Sequence, residues 1–157
     1  MAADPQRPAD LGIAVLLAYQ GFVRRLHADM AEHGYDDLGR SDGLVFRMIH
    51  AGPRTVSDLA GRLEITKQGA AQIIEDMERR GYVERRPDPA DGRARLVDLS
   101  ERGRGALEVA RRFHRRYEQR LVAAHGQEAV ATVRDVLGAM AADAPDGLDR
   151  ELRGLYL

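Results

Sequence analysis

The stretch Thr55–Ser100 reads TVSDLAGRLEITKQGAAQIIEDMERRGYVERRPDPADGRARLVDLS and decides the fold. Two short helical patterns stand on either side of a tight turn. A strand, a turn rich in proline, aspartate and glycine, and a second strand follow. That order predicts a winged helix-turn-helix, a shape that places one helix in a DNA groove and a hairpin beside it. Within it, Ser57 is expected to cap a helix over Asp58–Leu63, and Thr66 to cap a second over Lys67–Arg80. Gly81 closes the second helix at the position that favours a left-handed residue. The strands are expected over Tyr82–Arg86 and Arg95–Leu99, with Pro87, Pro89, Asp91 and Gly92 making the turn.

Outward from this core, Thr55-Val56 can supply a brief strand. Ser41 begins a helix with Leu44, Val45, Met48 and Ile49 inward, ended by Gly52-Pro53. From Asp10 to His33 apolar residues recur at steps of three and four, which predicts one long helix capped by Asp10 and stopped at Gly34. Its first half is apolar on nearly every side, as burial against a second subunit would require. Ser100 caps another long helix with a seam of Leu107, Ala110, Phe113, Tyr117, Leu121 and Ala124. Gly126 breaks it, and a last helix carries Val130, Val133, Val136, Leu137 and Met140. The expected class is mainly α with a small β-hairpin wing. The winged helix-turn-helix (residues 41–100) is flanked by dimerisation helices at 10–33 and 101–144 within one domain over 10–144. Residues 1–9 are expected as a disordered tail, and 145–157 as a tail or short helix.

Bulk properties exclude several classes. The chain has 157 residues, 44% hydrophobic and 31% charged, and no cysteine. Thiol redox sensing, thiolate metal sites and cysteine nucleophiles are therefore out. The five histidines, His27, His33, His50, His114 and His125, lack metal-ligand spacing, so no metal is expected, and no cofactor. The longest apolar run, Ile13–Tyr19, is too short for a membrane span, and no signal-peptide pattern precedes it, so a cytoplasmic protein is expected. A glycine-rich phosphate loop and a nucleophile–base pair are both missing, and Ser41, Ser57 and Ser100 read as caps. Catalysis is not expected.

Net charge is −1, which weighs against nucleic acid, yet affinity follows where charges sit rather than their sum. From Thr66 to Ile74 there is one lysine, the only one in the chain, and no acid. Thr66, Lys67, Gln68 and Gln72 face outward on the first turns of the expected recognition helix. Lysine donates to guanine or phosphate, and a glutamine amide pairs with both adenine N6 and N7. Gly69 lets the helix sit deeper in a groove or is simply tolerated in a first turn. In the wing, Asp91 accepts from turn amides or holds Arg93 extended, and an arginine there suits a narrow minor groove. Arg95 adds charge beside it. Arg54 and Thr55 are expected as phosphate clamps.

This pattern resembles the MarR family of transcriptional regulators. The segment from Thr55 through Gly103 is similar from end to end. Its most specific part is Pro87-Asp88-Pro89-Ala90-Asp91-Gly92-Arg93 with Leu99-Ser100-Glu101-Arg102-Gly103 after the second strand. The resemblance covers about residues 10 to 144. It implies a homodimer with interdigitated terminal helices, double-stranded DNA with a pseudo-palindromic operator as partner, repression, and release by a small, often aromatic and anionic effector. Two positions depart from the family pattern. Members often carry arginine where Gln72 and Gly92 stand, and the oxidant-sensing branch needs a cysteine that this chain lacks. Effector-lining residues stay unassigned; Tyr19, Phe22, His27 and His50 could line a crevice near the first and second helices, but aromatics at such spacing are more often simple core. The rival reading is a winged-helix protein-interaction module that no longer binds DNA, which the net acidity favours.

Overall fold

The computed structural model describes residues 10–39 and 41–142, and these fall into two compact units divided after Asp36. The expectations for residues 1–9 and 145–157 lie outside the described residues. The first unit is helix α1, Leu11–Glu32. The Asp10 carboxylate accepts from the Ile13 amide at 3.1 Å and so caps it. At its other end Gly34 has φ +85°, and the Gly34 and Tyr35 amides bond back to Ala31 and Met30. This left-handed stop satisfies carbonyls that a helix end otherwise leaves open. Leu11, Ile13, Leu16 and Leu17 of α1 are all exposed.

The second unit runs α2 (Asp42–His50), β1 (Arg54–Thr55), α3 (Val56–Leu63), α4 (Lys67–Arg79), β2 (Val83–Pro87), β3 (Arg95–Leu99), α5 (Glu101–His125) and α6 (Gln127–Ala142). Its antiparallel sheet has the order β1-β3-β2. Arg54 faces Val97 and Thr55 faces Leu96, while Val83 to Pro87 pair in register with Leu99 back to Arg95. The core is contributed by Leu44, Val45, Phe46, Met48 and Ile49 of α2, Leu59, Ala60 and Leu63 of α3, and Ala70, Ile74 and Met77 of α4. Tyr82, Val83, Val97 and Leu99 close it from the sheet side. Each helix places these residues at three- and four-residue steps, so the winged helix-turn-helix is held by one continuous apolar interior.

The structure revises several sequence expectations. Helix α3 starts at Val56, and its cap is Thr55, whose hydroxyl accepts from the Asp58 amide at 3.1 Å. Ser57 is already inside the helix. The reason is β1: pairing with β3 keeps Thr55 extended (ψ 156°), the backbone state a capping residue needs. Ser41 stands before α2 without a capping hydrogen bond. The buried residues of α5 are Gly103, Ala106, Val109 and Phe113, so the expected seam meets this core only at Phe113, and Leu121 is 36% exposed. Between α3 and α4 the tight turn is made by Glu64 at φ 46°, a left-handed conformation that sequence pattern does not announce in a non-glycine residue.

Candidate nucleic-acid interface

Thr66 has an extended backbone, and its hydroxyl accepts from the Gly69 amide at 3.0 Å. Helix α4 therefore begins with a satisfied cap and with no acid in its first turn. Thr66, Lys67, Gln68 and Gln72 are exposed, whereas Ala70, Ile74 and Met77 are buried. Among the described residues the side chains of Lys67, Gln68 and Gln72 are committed to no hydrogen bond or ion pair. The face thus presents one cation and two amides at the positive end of a helix dipole, an arrangement open to an anionic, hydrogen-bonding partner. Gly69 gains a reason it lacked: a Cβ there would stand 3.2 Å from the capping hydroxyl of Thr66. Glycine keeps that cap uncrowded.

The wing turn is ordered by its acids. Asp91 accepts from the Arg93 amide at 3.0 Å with its carboxylate and from the Ala94 amide at 2.9 Å with its carbonyl. Asp88 accepts from the Ala90 amide at 2.8 Å. Of the two roles open to Asp91, the structure shows the backbone one. Arg93 and Arg95 are exposed, and among the described residues neither guanidinium has an acid partner.

The remaining arginines of this region are spoken for. Arg86 meets Asp98 at 2.8 Å, and Arg85 reaches Glu78 at 3.3 Å and Glu75 at 3.9 Å. Arg54 donates to the Met48 carbonyl at 2.9 Å and to Asp58 at 3.0 Å, and Arg62 also reaches Asp58 at 3.2 Å. Burial pushes the Asp58 carboxyl upward, but the hydrogen bonds from Arg54 and Arg62 outweigh it and hold the group below the usual carboxylate range. Arg54 and Thr55, expected as clamps, therefore already serve the fold with their polar atoms. Ser57, expected as a cap, is exposed at the start of α3 with no hydrogen bond among the described residues. The capping hydroxyl is that of Thr55 and not that of Ser57. No local signal in the sequence separates them, because both are hydroxyl residues within two positions of the helix start at Val56.

An open pocket of about 330 Å³ lies apart from this face, lined by Ile49, His50, Leu99, Arg104, Leu107 and Arg111 among others. Among the described residues no group of three or more histidines, acids or cysteines is placed to hold a metal. No described helix is long and apolar enough to cross a membrane.

The chain is similar to known proteins over this same region. The sequence model of the MarR family matches residues 36–94. The HTH-type transcriptional regulator PetP of Rhodobacter capsulatus is 33% identical over 131 residues, covering 81% of this chain and 75% of PetP. A second regulator of this kind, from Bacillus subtilis, is matched at 29% identity over 59% of its own length. Among solved structures, RV1404 of Mycobacterium tuberculosis superposes with a TM-score of 0.75 at 18% identity, covering 92% of this chain and all of that one. FabT of Streptococcus pneumoniae, solved in complex with DNA, superposes with a TM-score of 0.66 at 20% identity, covering 85% of this chain and 96% of FabT.

Proposed function

This chain belongs to the MarR family of transcriptional regulators, and from that premise we propose that it is a homodimeric repressor that grips a pseudo-palindromic operator and lets go when a small molecule binds. The observation that carries the reading is the outer surface of the first turns of α4, Lys67 to Gln72, which holds no acid and whose Lys67, Gln68 and Gln72 side chains are uncommitted. Two such faces related by a twofold axis would enter successive major grooves about 34–36 Å apart. Lys67, Gln68 and Gln72 then meet base edges, and Thr66 meets phosphate beside its own cap. Arg93 and Arg95 of the wing follow into the adjacent minor groove, with Asp91 holding the turn that aims them. Arg54 and Thr55 contact phosphate only by sharing bonds they already make. FabT, of the same fold, is a DNA-bound protein, which favours the reading.

Support for pairing comes from apolar surface that each helix leaves uncovered. Leu11 and Leu17 of α1 are 64% and 51% exposed, and Val133, Val136, Leu137 and Met140 of α6 are all above 40%. Monomeric proteins rarely leave apolar side chains of this size grouped along a helix. Release by a small molecule is favoured by the pocket beside α5, whose lining carries Arg104 and Arg111 together with Asp98 and Glu108. A coupling of about 1–3 kcal/mol between effector and operator is enough to loosen the complex.

A second reading, a winged-helix module that binds protein instead, is favoured by the net charge of −1 and by the pairing of Arg54, Arg85 and Arg86 with acids. Selection of bound sequences from random duplexes at low ionic strength separates the two. The repressor reading expects an inverted repeat to emerge and sedimentation to give a dimer. A monomer, or a pool with no enriched sequence, would sink it in favour of the second reading.

A further inference from the structure

The end of α4 opposite to its exposed face is fastened by charge. Arg80, the residue that caps α4, reaches back to Asp42 in the first turn of α2: Nη1 donates to Oδ2 at 2.6 Å and Nη2 to Oδ1 at 3.2 Å. Nη1 also donates to the Asp37 carbonyl at 2.7 Å, and Nε to Asp76 at 2.9 Å. Asp42 is the one buried acid among the described residues, 2% exposed, and it accepts from the Gly39 amide at 2.8 Å as well. A Cβ on Gly39 would press on both partners, at 3.0 Å from Asp42 Oδ1 and 3.3 Å from Arg80 Nη2. Next to this pair, buried Tyr82 donates its hydroxyl to Asp37, and Arg102 of α5 reaches Asp37 at 3.0 Å and the Tyr82 hydroxyl at 3.2 Å. The start of α2, the end of α4, the start of β2 and the start of α5 therefore meet at one polar joint.

Stability alone does not account for such a joint. Taking two charges out of water costs about what their attraction returns, and apolar side chains of similar volume often serve stability as well. What an apolar contact does not provide is direction, whereas a two-pronged guanidinium–carboxylate bond sets an angle. That angle matters because α4 is 13 residues long, roughly 18 Å at 1.5 Å per residue. A tilt of about 10° at its Arg79 end would carry the Lys67 end by about 3 Å on that length, more than a base hydrogen bond tolerates. We propose that Asp42 and Arg80 are positioning residues, which set the tilt of α4 from its buried end so that Lys67, Gln68 and Gln72 arrive at base edges in register. This rests on α4 being the helix that contacts DNA.

The test is the double variant Asp42→Leu/Arg80→Met, which replaces the ion pair with apolar groups of similar volume. The chain has no cysteine, so Gln68→Cys and Glu108→Cys take spin labels cleanly in both backgrounds and report the distance from the exposed end of α4 to α5. The double variant is expected to melt within a few degrees of the parent while that distance shifts or broadens by about 3 Å, the displacement set by the helix length. Without labels, its affinity for the duplex selected by the parent is expected to fall tenfold or more. Arg80→Lys, with the charge but a single prong, should fall between. A folded double variant with the parent's distance distribution and the parent's affinity overturns the proposal. Should the double variant not fold, Asp42→Asn read in the same two ways decides it. If the parent itself selects no duplex, the DNA reading fails, and the labelled distance still decides whether the pair sets the tilt.

Discussion

Gly103 lies so close to Tyr82 that a Cβ on it would stand 2.0 Å from the Tyr82 carbonyl oxygen. That carbonyl also accepts from the Ser100 amide at 3.1 Å, and the Ser100 hydroxyl both caps α5 through the Gly103 amide at 3.0 Å and donates to the Gly81 carbonyl at 2.5 Å. The first turn of α5 is thus seated directly on the chain leaving α4. In an ordinary exposed helix, glycine to alanine would add roughly 1 kcal/mol of stability. Here the sign should reverse. Gly103→Ala is expected to cost about 1–3 kcal/mol, the usual penalty of overpacking, and thermal melting reads it directly. A raised melting temperature would show that the backbone yields at this contact.

Arg86 and Arg93 sit on the same hairpin and should behave differently. Arg86 is held by Asp98 at 2.8 Å, while Arg93 has no acid partner among the described residues. Arg93→Ala is expected to weaken operator binding and to reduce the slope of log affinity against log salt by about one. Arg86→Ala should leave that slope nearly unchanged. Equal slopes for the two variants would remove the wing from the interface.

Gln72→Ala should alter which sequences are chosen more than how tightly arbitrary duplex is held, since an amide reads bases and carries no charge. Repeating the selection with the variant checks it: the enriched repeat should lose preference at one position per half-site. An unchanged profile would assign base reading to Lys67 or Gln68 instead.

Acid should loosen the fold through three carboxylates. A hydrogen bond from Tyr82 holds Asp37 low, a bond from Arg80 does the same for Asp76, and at Asp58 the Arg54 and Arg62 bonds prevail over burial. Each folded-state value lies below the unfolded one, so the stability they confer is complete above about pH 4 and is lost as pH falls through the lowered values. Melting temperature should therefore be flat from neutrality to about pH 5 and drop below about pH 4. Asp58→Asn should start lower at neutral pH and show a shallower acid drop. A parallel acid limb in that variant would mean Asp58 titrates as freely as in an unfolded chain.

Exposed apolar residues on α6 should govern assembly. Val136→Glu with Leu137→Glu places two charges where the surface is now 47% and 44% exposed hydrocarbon. Sedimentation is expected to shift from dimer to monomer or mixed species, with operator affinity falling along with it. A dimer as tight as the parent's would move the pairing surface elsewhere.

How much of this was legible in the residues depended on how local the cause was. Asp10, Thr66 and Ser100 cap their helices as expected, and Gly34 and Gly81 close theirs, because each interaction spans at most five residues. The outward face of α4 was equally plain, since helical periodicity alone separates Gln68 and Gln72 from Ala70, Ile74 and Met77. The cap of α3 was assigned to Ser57 instead of Thr55 because the choice depends on a strand pairing made with Leu96, some forty positions away.

The order of residues alone determined the element types, the ends of the helices that Asp10, Thr66 and Ser100 cap, and the winged helix-turn-helix, all consequences of short-range hydrogen bonding and of apolar spacing. Only the tertiary structure decided which arginines remain unpaired, because an ion pair depends on which acid the folded chain brings within reach. Arg54 of β1 pairs with Asp58 four positions on in α3, Arg86 pairs across the hairpin, and Arg80 pairs with a carboxylate 38 positions earlier. Charge is a property of the residue, but its availability is a property of the packing around it.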